Sequence, residues 1–597
     1  MAVTAGMRML LALLFLLAGP PVITFIAKRL LDYLGIFLPK WIYMVTAIFG
    51  LPAYAALYLI LREMKQRREA ASMGARFAPR IKGKWPGNLD VMARVIRKFM
   101  NGYPGEEQVE LMKKYGYFFN AHVLHDDVIF TTTPEHIQQI LATDFKNYEK
   151  GTRFRKDMGA VLGVGVFNAD GDMWKFHRQM TRPFFTRDRV THFDIFDRHA
   201  ESALTQMKRR LRTGYPIDFQ DLMGRFTLDS ATEFLFGSCV HSLSANPPYP
   251  YYAPAETAAQ IETPEAQRAQ EFAKAFLEAQ EVVGQRVWIG PLWPLLSEFW
   301  GDKTIAPMKI VNSFIEPIIA TALERKKASA RLPKDEKDEI DDDETLLDHL
   351  VDLTDDPTML RDEILNIMIA GRDTTALTLT FITYFLATYP DVATRLRNEV
   401  LATVGPSQRP TYDNIREMKY LRAVINETLR LYPVVPFNVR QCVNSTTWPS
   451  LDPTEKPVYI PAGAKLPYSV FLMHRRKDLW GPDAEEFDPD RFLDERLKKY
   501  LTSRPFIFLP FNAGPRICLG QQFAYNEMSF MLIRLMQNFE EFKFEPSAAP
   551  PEYHTPPEWK NASGRQAVDK FLPKLTLTMY SGGGLWIRAK EVEDRNV

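Results

Sequence analysis

Two apolar runs open the chain, and a helical period of apolar positions takes over after them. The first run covers Met9 to Ala27 and is interrupted by Gly19, Pro20 and Pro21; the second covers Ile42 to Leu61 and carries no charge. Each is about long enough to cross a bilayer. Arg62, Lys65, Arg67 and Arg68 follow the second run, a cluster that prefers the cytoplasmic side and predicts a body facing the cytoplasm. Lys28, Arg29 and Lys40 lie between the runs, which leaves one or two crossings open. The first run also reads as a signal peptide or as a segment lying in the interface. Against the signal peptide, no small-residue cleavage site follows and Lys28-Arg29 come directly after the run.

Gly83 to Gly87 reads as a stiff link. The pattern therefore divides the chain into a membrane anchor region at 1–78 and a body at 79–597. In the body, helical periodicity covers Asp188 to Phe236, Pro264 to Glu324 and Glu344 to Val404. Strand-like stretches are short: Val128 to Thr132, Val458 to Ile460 and Leu575 to Met579. These patterns predict a mainly α fold with small β-sheets at its edges. Ser244 to Pro264 reads as an inserted loop, and the charge run from Arg325 to Glu344 as a solvated connector. No internal repeat is found.

Composition adds exclusions. A net charge of +1 over 597 residues gives no global reason to expect a nucleic-acid partner. The 3 cysteines, Cys239, Cys442 and Cys518, lie far apart. They exclude a disulfide framework or a four-cysteine zinc site within one chain and fit a reducing compartment. Asn426, Asn444 and Asn561 begin glycan acceptor patterns, read as chance matches because Asn426 falls in a helix expected to be buried.

The densest chemistry lies between Phe508 and Ala524. A loop rich in glycine and proline leads into a helix-periodic run from Gln521 to Gln537. A cysteine at a helix start faces amide N–H groups and the positive dipole end, which favour thiolate. Gly514 and Gly520 let backbone approach a flat ligand, Phe511 can cover one side of the Cys518 sulfur, and Arg516 can reach an anionic carboxylate. On Cys518 alone, a buried structural cysteine is an equal reading. Upstream, Asn366 to Thr375 is an apolar helix carrying Gly371, Asp373 and Thr374 together. A buried carboxylate beside a hydroxyl is costly without a partner or a task; the pair reads as a proton relay, or as a helix cap.

The pattern FxxGxRxCxG with a following alanine is met by Phe511, Gly514, Arg516, Cys518, Gly520 and Ala524. It resembles the heme-binding signature of the cytochrome P450 superfamily, and the resemblance extends over about residues 79 to 590. It implies heme b (iron protoporphyrin IX) held by Cys518 as the axial iron ligand, a thiolate that favours O–O cleavage. It makes Asp373 and Thr374 the oxygen-activating pair and Glu427, Arg430 and Arg491 a buried structural triad. Trp174, Arg178 and Arg440 become contacts of the heme propionates. By the same analogy Ile367, Ala370, Val435 and the Gly582–Gly584 turn line the substrate pocket.

The chain also resembles membrane-bound fungal hydroxylases of alkanes and fatty acids, through Arg80 to Gly87, the cysteine loop and the Ser581–Gly584 tail. The expected activity is insertion of one oxygen atom from O2 into a lipophilic substrate, with polycyclic aromatics or terpenoids as alternatives. No GxGxxG fingerprint appears, so electrons are expected from a separate membrane NADPH-cytochrome P450 reductase. Lys175, Lys498 and Lys499 are candidates for its docking face. The endoplasmic reticulum is the implied membrane. A rearranging heme-thiolate isomerase, a heme-based sensor and a plain binding protein are the rivals; the intact Asp373-Thr374 pair argues against the isomerase. His177 and His474 are possible other iron ligands, and Cys239 and Cys442 are expected to be inert.

Overall fold

A computed structural model describes residues 3–185, 193–259, 262–329 and 345–593. Most of the predicted charge run, and the start of the helix expected from Asp188, lie outside the described residues. Among the described residues helices dominate, and four small sheets of two to five strands sit around them, as the patterning predicts.

Helices Ala5–Tyr33 and Lys40–Ser72 are both long and apolar enough to cross a membrane. The first continues through Pro20 and Pro21, where the sequence suggests an interruption. The two helices pack antiparallel; an added side chain at Gly50 would meet Pro20 at 3.7 Å. The chain start touches the body: Thr4 Oγ1 donates to Phe299 O at 2.6 Å, and Gly6 packs on Pro294 and Phe299. The far end is tied down as well. Arg62 Nη2 and Gln66 Nε2 donate to Asp127 Oδ2 at 3.0 and 2.8 Å. Entry to and exit from the hairpin are therefore on the same side, the side of the body. The chain joins the body earlier than the link at Gly83 suggests, because Arg76 and Phe77 pair in parallel with Val458 and Tyr459.

Each long helical pattern is broken where backbone chemistry demands it. Gly214 and Pro216 separate Asp194–Arg212 from Phe219–Phe236. Gly290 and Pro291 end Pro264–Ile289, and Pro357 and Pro390 bound the central helix, Pro357–Thr388. Proline lacks the N–H that a helix interior needs, but is tolerated in the first turn. In the central helix every residue from Asp362 to Leu386 is buried except Ala370, Gly371 and Thr374. The expected strand at Leu575–Met579 is a hairpin instead: Pro573–Leu575 pairs antiparallel with Met579–Ser581, and Thr576 to Thr578 form its tip. The largest sheet, five strands in the order Phe118–Asn120, Ile129–Thr131, Lys465–Ser469, Phe437–Cys442 and Tyr148–Glu149, carries Arg440 inward.

Candidate heme site

Cys518 stands two residues before Gly520, the N-cap of helix Gln521–Asn538. Its N–H donates to Phe511 O at 3.0 Å, which closes the loop over Gly514. That glycine has a φ of +67°, and a side chain there would run into Leu141 O. The Cys518 residue is exposed, yet burial pushes its thiol up; the Gly520 N–H and the Arg178 charge pull it down without winning. Exposure together with crowding describes a thiol at the wall of an enclosed hollow. The helix start alone does not make this sulfur a thiolate.

Four cations share that hollow's rim. Arg178 Nη2 donates to Ile517 O at 2.9 Å, one residue from the cysteine. Arg516 Nη2 donates to Ala169 O at 2.9 Å and to Asp170 Oδ1 at 2.8 Å, and its guanidinium lies 4.7 Å from the Trp174 ring centre. Arg440 is 3% exposed, and its Nη1 donates to Val439 O at 2.8 Å. Lys150 was not singled out in the sequence. Its Nζ lies 4.4 Å from the Phe154 ring centre and, among the described residues, meets no carboxylate. Burial first, then Arg440 and Arg516, hold this lysine well below its ordinary range. Burial and then Arg440 bring Arg516 down to about 10. Asp170, also missed, offsets only part of this positive charge. It accepts from the N–H groups of Lys150 and Gly151 at 2.8 and 3.1 Å. Its position ahead of Gly171 was readable as a cap, but not its direction.

Ile367, Ala370, Gly371 and Thr374 recur at three- and four-residue spacing and share one face of the central helix. Ile367 is 8% exposed, and the other three are the accessible positions named above. Thr374 Oγ1 donates to Ala370 O at 2.6 Å, and Thr378 Oγ1 to Thr374 O at 2.7 Å. Two successive hydroxyl bonds of this kind draw carbonyls away from the helix ladder. Asp373 is turned elsewhere, taking Arg372 Nη1 at 2.7 Å. Among the described residues no hydrogen bond joins Asp373 to Thr374: the Thr374 hydroxyl is committed to Ala370 O, and the longer Arg372 side chain folds back to the carboxylate. Packing does not demand glycine at 371, since a Cβ there would meet Ala231 of the adjoining helix at an ordinary 3.6 Å.

Val435 is half-buried, and Met579 N–H donates to Val434 O at 2.8 Å. The hairpin tip therefore adjoins Val434–Val435. The Gly582–Gly584 turn, expected in the pocket, packs on Tyr553, Lys574 and Asp218 instead; glycine spacing gave no means of telling tip from turn.

Glu427, Arg430 and Arg491 are all buried. Arg430 holds the carboxylate with two bonds of 2.7 and 2.8 Å, and Arg491 Nε lies 3.5 Å from Glu427 Oε1. His177, with Nδ1 2.8 Å from Glu363 Oε2, and His474 are both buried in packing contacts. Burial pushes the Cys239 and Cys442 thiols up to about 11 and about 12. Lys175 and Lys498 are exposed and paired with Asp172 and Glu495.

The cytochrome P450 family profile matches residues 88–563. The chain belongs to the cytochrome P450 family. It is 34% identical to cytochrome P450 monooxygenase himC of Aspergillus japonicus over 92% of this chain and 89% of that one. It is 39% identical to cytochrome P450 52-M1 of Starmerella bombicola over 70% and 76% of the two chains, and 32% identical to cytochrome P450 52A6 of Candida tropicalis over 89% and 96%. This P450 is a membrane-anchored heme-thiolate monooxygenase of lipophilic substrates, with heme b as its cofactor. The hollow suits that cofactor. An accessible thiol, cations in excess of carboxylates and a helix face thinned to Ala370 and Gly371 match a flat macrocycle with anionic edges.

Proposed function

We propose that Cys518 is the thiolate ligand of the heme iron and that Lys150, Arg178, Arg440 and Arg516 receive the propionates. The carrying observation is the cluster of cations beside Cys518, in which Arg178 bonds the adjoining Ile517 O, Arg516 reaches Asp170 and buried Arg440 donates to the Val439 carbonyl; a dianionic edge balances that charge. Bound heme supplies O2 activation, with one oxygen atom entering the substrate and the other leaving as water. Trp174 packs under Arg516 and fixes its direction. Thr374 positions a proton at its Oγ1 beside the thinned face, and Asp373 supplies protons once Arg372 releases it. Glu427, Arg430 and Arg491 hold the core behind the cysteine loop.

The substrate is a long-chain alkane or fatty acid. Ile367, Ala370 and Val435 offer it a lining without charge, and the membrane hairpin keeps the enzyme where such molecules dissolve. Electrons come from a membrane NADPH-cytochrome P450 reductase. The anchor ends near residue 78, the membrane is the endoplasmic reticulum, and the body faces the cytoplasm beside Arg62 to Arg68.

The test is a product screen with reductase and NADPH against alkanes, fatty acids, polycyclic aromatics and terpenoids. Hydroxylated chains are expected. Turnover confined to ring systems overturns the substrate assignment, and product formed without O2 overturns the reaction.

A further inference from the structure

Away from the cysteine loop, His199, Glu233 and Cys239 each bring one ligand atom to within 4.8 Å of the others. Among the described residues no other set of His, Cys, Asp and Glu does so. The three come from separate stretches. His199 lies on helix Asp194–Arg212, Glu233 in the last turn of helix Phe219–Phe236, and Cys239 in the turn that follows. Gly237 ends that helix with a φ of +72°, which reverses the chain and brings Cys239 back over it. The turn is firmly held. Buried Asp229 accepts from Ser242 N–H and Oγ at 2.8 Å each and from Leu243 N–H at 3.0 Å, and Val240 N–H donates to Thr232 Oγ1 at 3.2 Å.

Within the cluster, His199 Nε2 lies 2.6 Å from Glu233 Oε2, and Arg198 holds the other carboxylate oxygen. The Cys239 sulfur lies 3.0 Å from Nδ1 of His241. A Cys–His pair alone would read as a nucleophile, but His199 and Glu233 bring a second imidazole and a carboxylate to the same place. Imidazole, carboxylate and thiol together instead make the mixed nitrogen, oxygen and sulfur set of a borderline divalent ion. Atoms bound to one tetrahedral zinc lie about 3.3–3.8 Å apart, so the hydrogen-bonded His199–Glu233 pair opens to admit the ion between its members.

We propose that His199, Glu233 and Cys239 form a zinc site, with water at the fourth position and His241 braced against the sulfur. The ion clamps helix Asp194–Arg212 to the end of helix Phe219–Phe236. Those helices also carry Phe196 and Phe234, whose rings lie 5.2 and 5.0 Å from that of Phe523 in the first turn after the cysteine loop. The clamp therefore stands one layer behind Cys518.

The heme-loaded full-length enzyme, stripped with chelator, is titrated with Zn2+ by calorimetry and then measured at the zinc X-ray absorption edge. Saturable binding of one zinc per chain is expected, with one sulfur at about 2.3 Å and nitrogen or oxygen at about 2.0 Å. Cys239→Ser and His199→Gln should each weaken binding by about tenfold or more, while the reduced carbon monoxide band keeps its height. Absence of saturable binding, a zinc shell without sulfur, or unchanged affinity in both variants overturns the proposal. Should a variant lose its heme, the absorption edge of the unsubstituted protein decides by itself.

Discussion

Nε2 of His474 accepts the backbone N–H of Leu509 at 2.9 Å, two residues before Phe511. The carbonyl of the same histidine accepts Arg430 Nη1 at 2.8 Å. One buried residue thus ties the Glu427–Arg430 pair to the start of the cysteine loop. To accept at Nε2 the ring must be neutral there, and burial, then the Arg430 charge, bring its pKa down to about 3.

That requirement sets a pH dependence. His136 is likewise brought down to about 4, by burial first. Both are near 6.5 in an unfolded chain, so between these values the unfolded state binds more protons than the native state. Each histidine therefore contributes a loss of about 1.4 kcal/mol of stability per pH unit as pH falls below about 6.5, opposed by Asp218 and Glu527, which burial raises to about 7 and about 8. Urea unfolding at pH 7, 6 and 5 measures the slope, and His474→Gln should shift it from the parent's by about 1.4 kcal/mol per pH unit, in the direction of less loss on acidification. An unchanged slope in that variant takes His474 out of the account.

Cys518→Ala should abolish the thiolate-type absorption band of the reduced, carbon monoxide-bound protein. Cys239→Ala and Cys442→Ala should keep it, since neither thiol faces the hollow. A full-height band in Cys518→Ala would remove the central assignment.

Lys150→Ala should release heme to an acceptor protein about tenfold faster at neutral pH, in line with the loss of one charge-assisted hydrogen bond. The comparison is with Lys175→Ala, whose ammonium is exposed and paired with Asp172 and which should change nothing. Equal release rates in the two variants would take Lys150 off the propionates.

Glu427→Ala leaves Arg430 and Arg491 buried without their shared carboxylate. A charge stranded in this way costs about 3–5 kcal/mol, expected as a lower denaturation midpoint and reduced heme content. A variant as stable as the parent would mean that backbone carbonyls, with Asp483 at Arg491, satisfy both guanidinium groups.

Thr374→Ala should bind substrate nearly as before while hydroxylated product per NADPH falls and hydrogen peroxide rises. Proton delivery of this kind contributes about a hundredfold or more to rate. NADPH, peroxide and product are followed in one reaction with reductase. Asp373→Asn should move coupling in the same direction, and Arg372→Ala, which frees the carboxylate, should not lower it. Parent-like coupling in both Thr374→Ala and Asp373→Asn would exclude the pair from proton delivery.

Local chemistry made much of this protein legible in its sequence. The two apolar helices near the chain start follow from runs about long enough to cross a bilayer, and the Cys518 loop from glycine and proline placed around one cysteine before a helix. The Glu427–Arg430 pair follows from i, i+3 spacing, since each of these signals lies within a few residues of chain. What the tertiary structure decided involves partners far apart in sequence. Lys150 becomes a site residue only because Arg440 and Arg516 fold against it. Asp373 meets Arg372 rather than Thr374 because the long guanidinium side chain folds back to it while the Thr374 hydroxyl bonds Ala370 O. The hairpin at Leu575–Met579 is fixed by its pairing register, and His199 meets Glu233 only where two helices pack. A sequence states which groups can ionise, ligate or cap. Which of them share a low-dielectric space, and so change one another's charge, is set by packing.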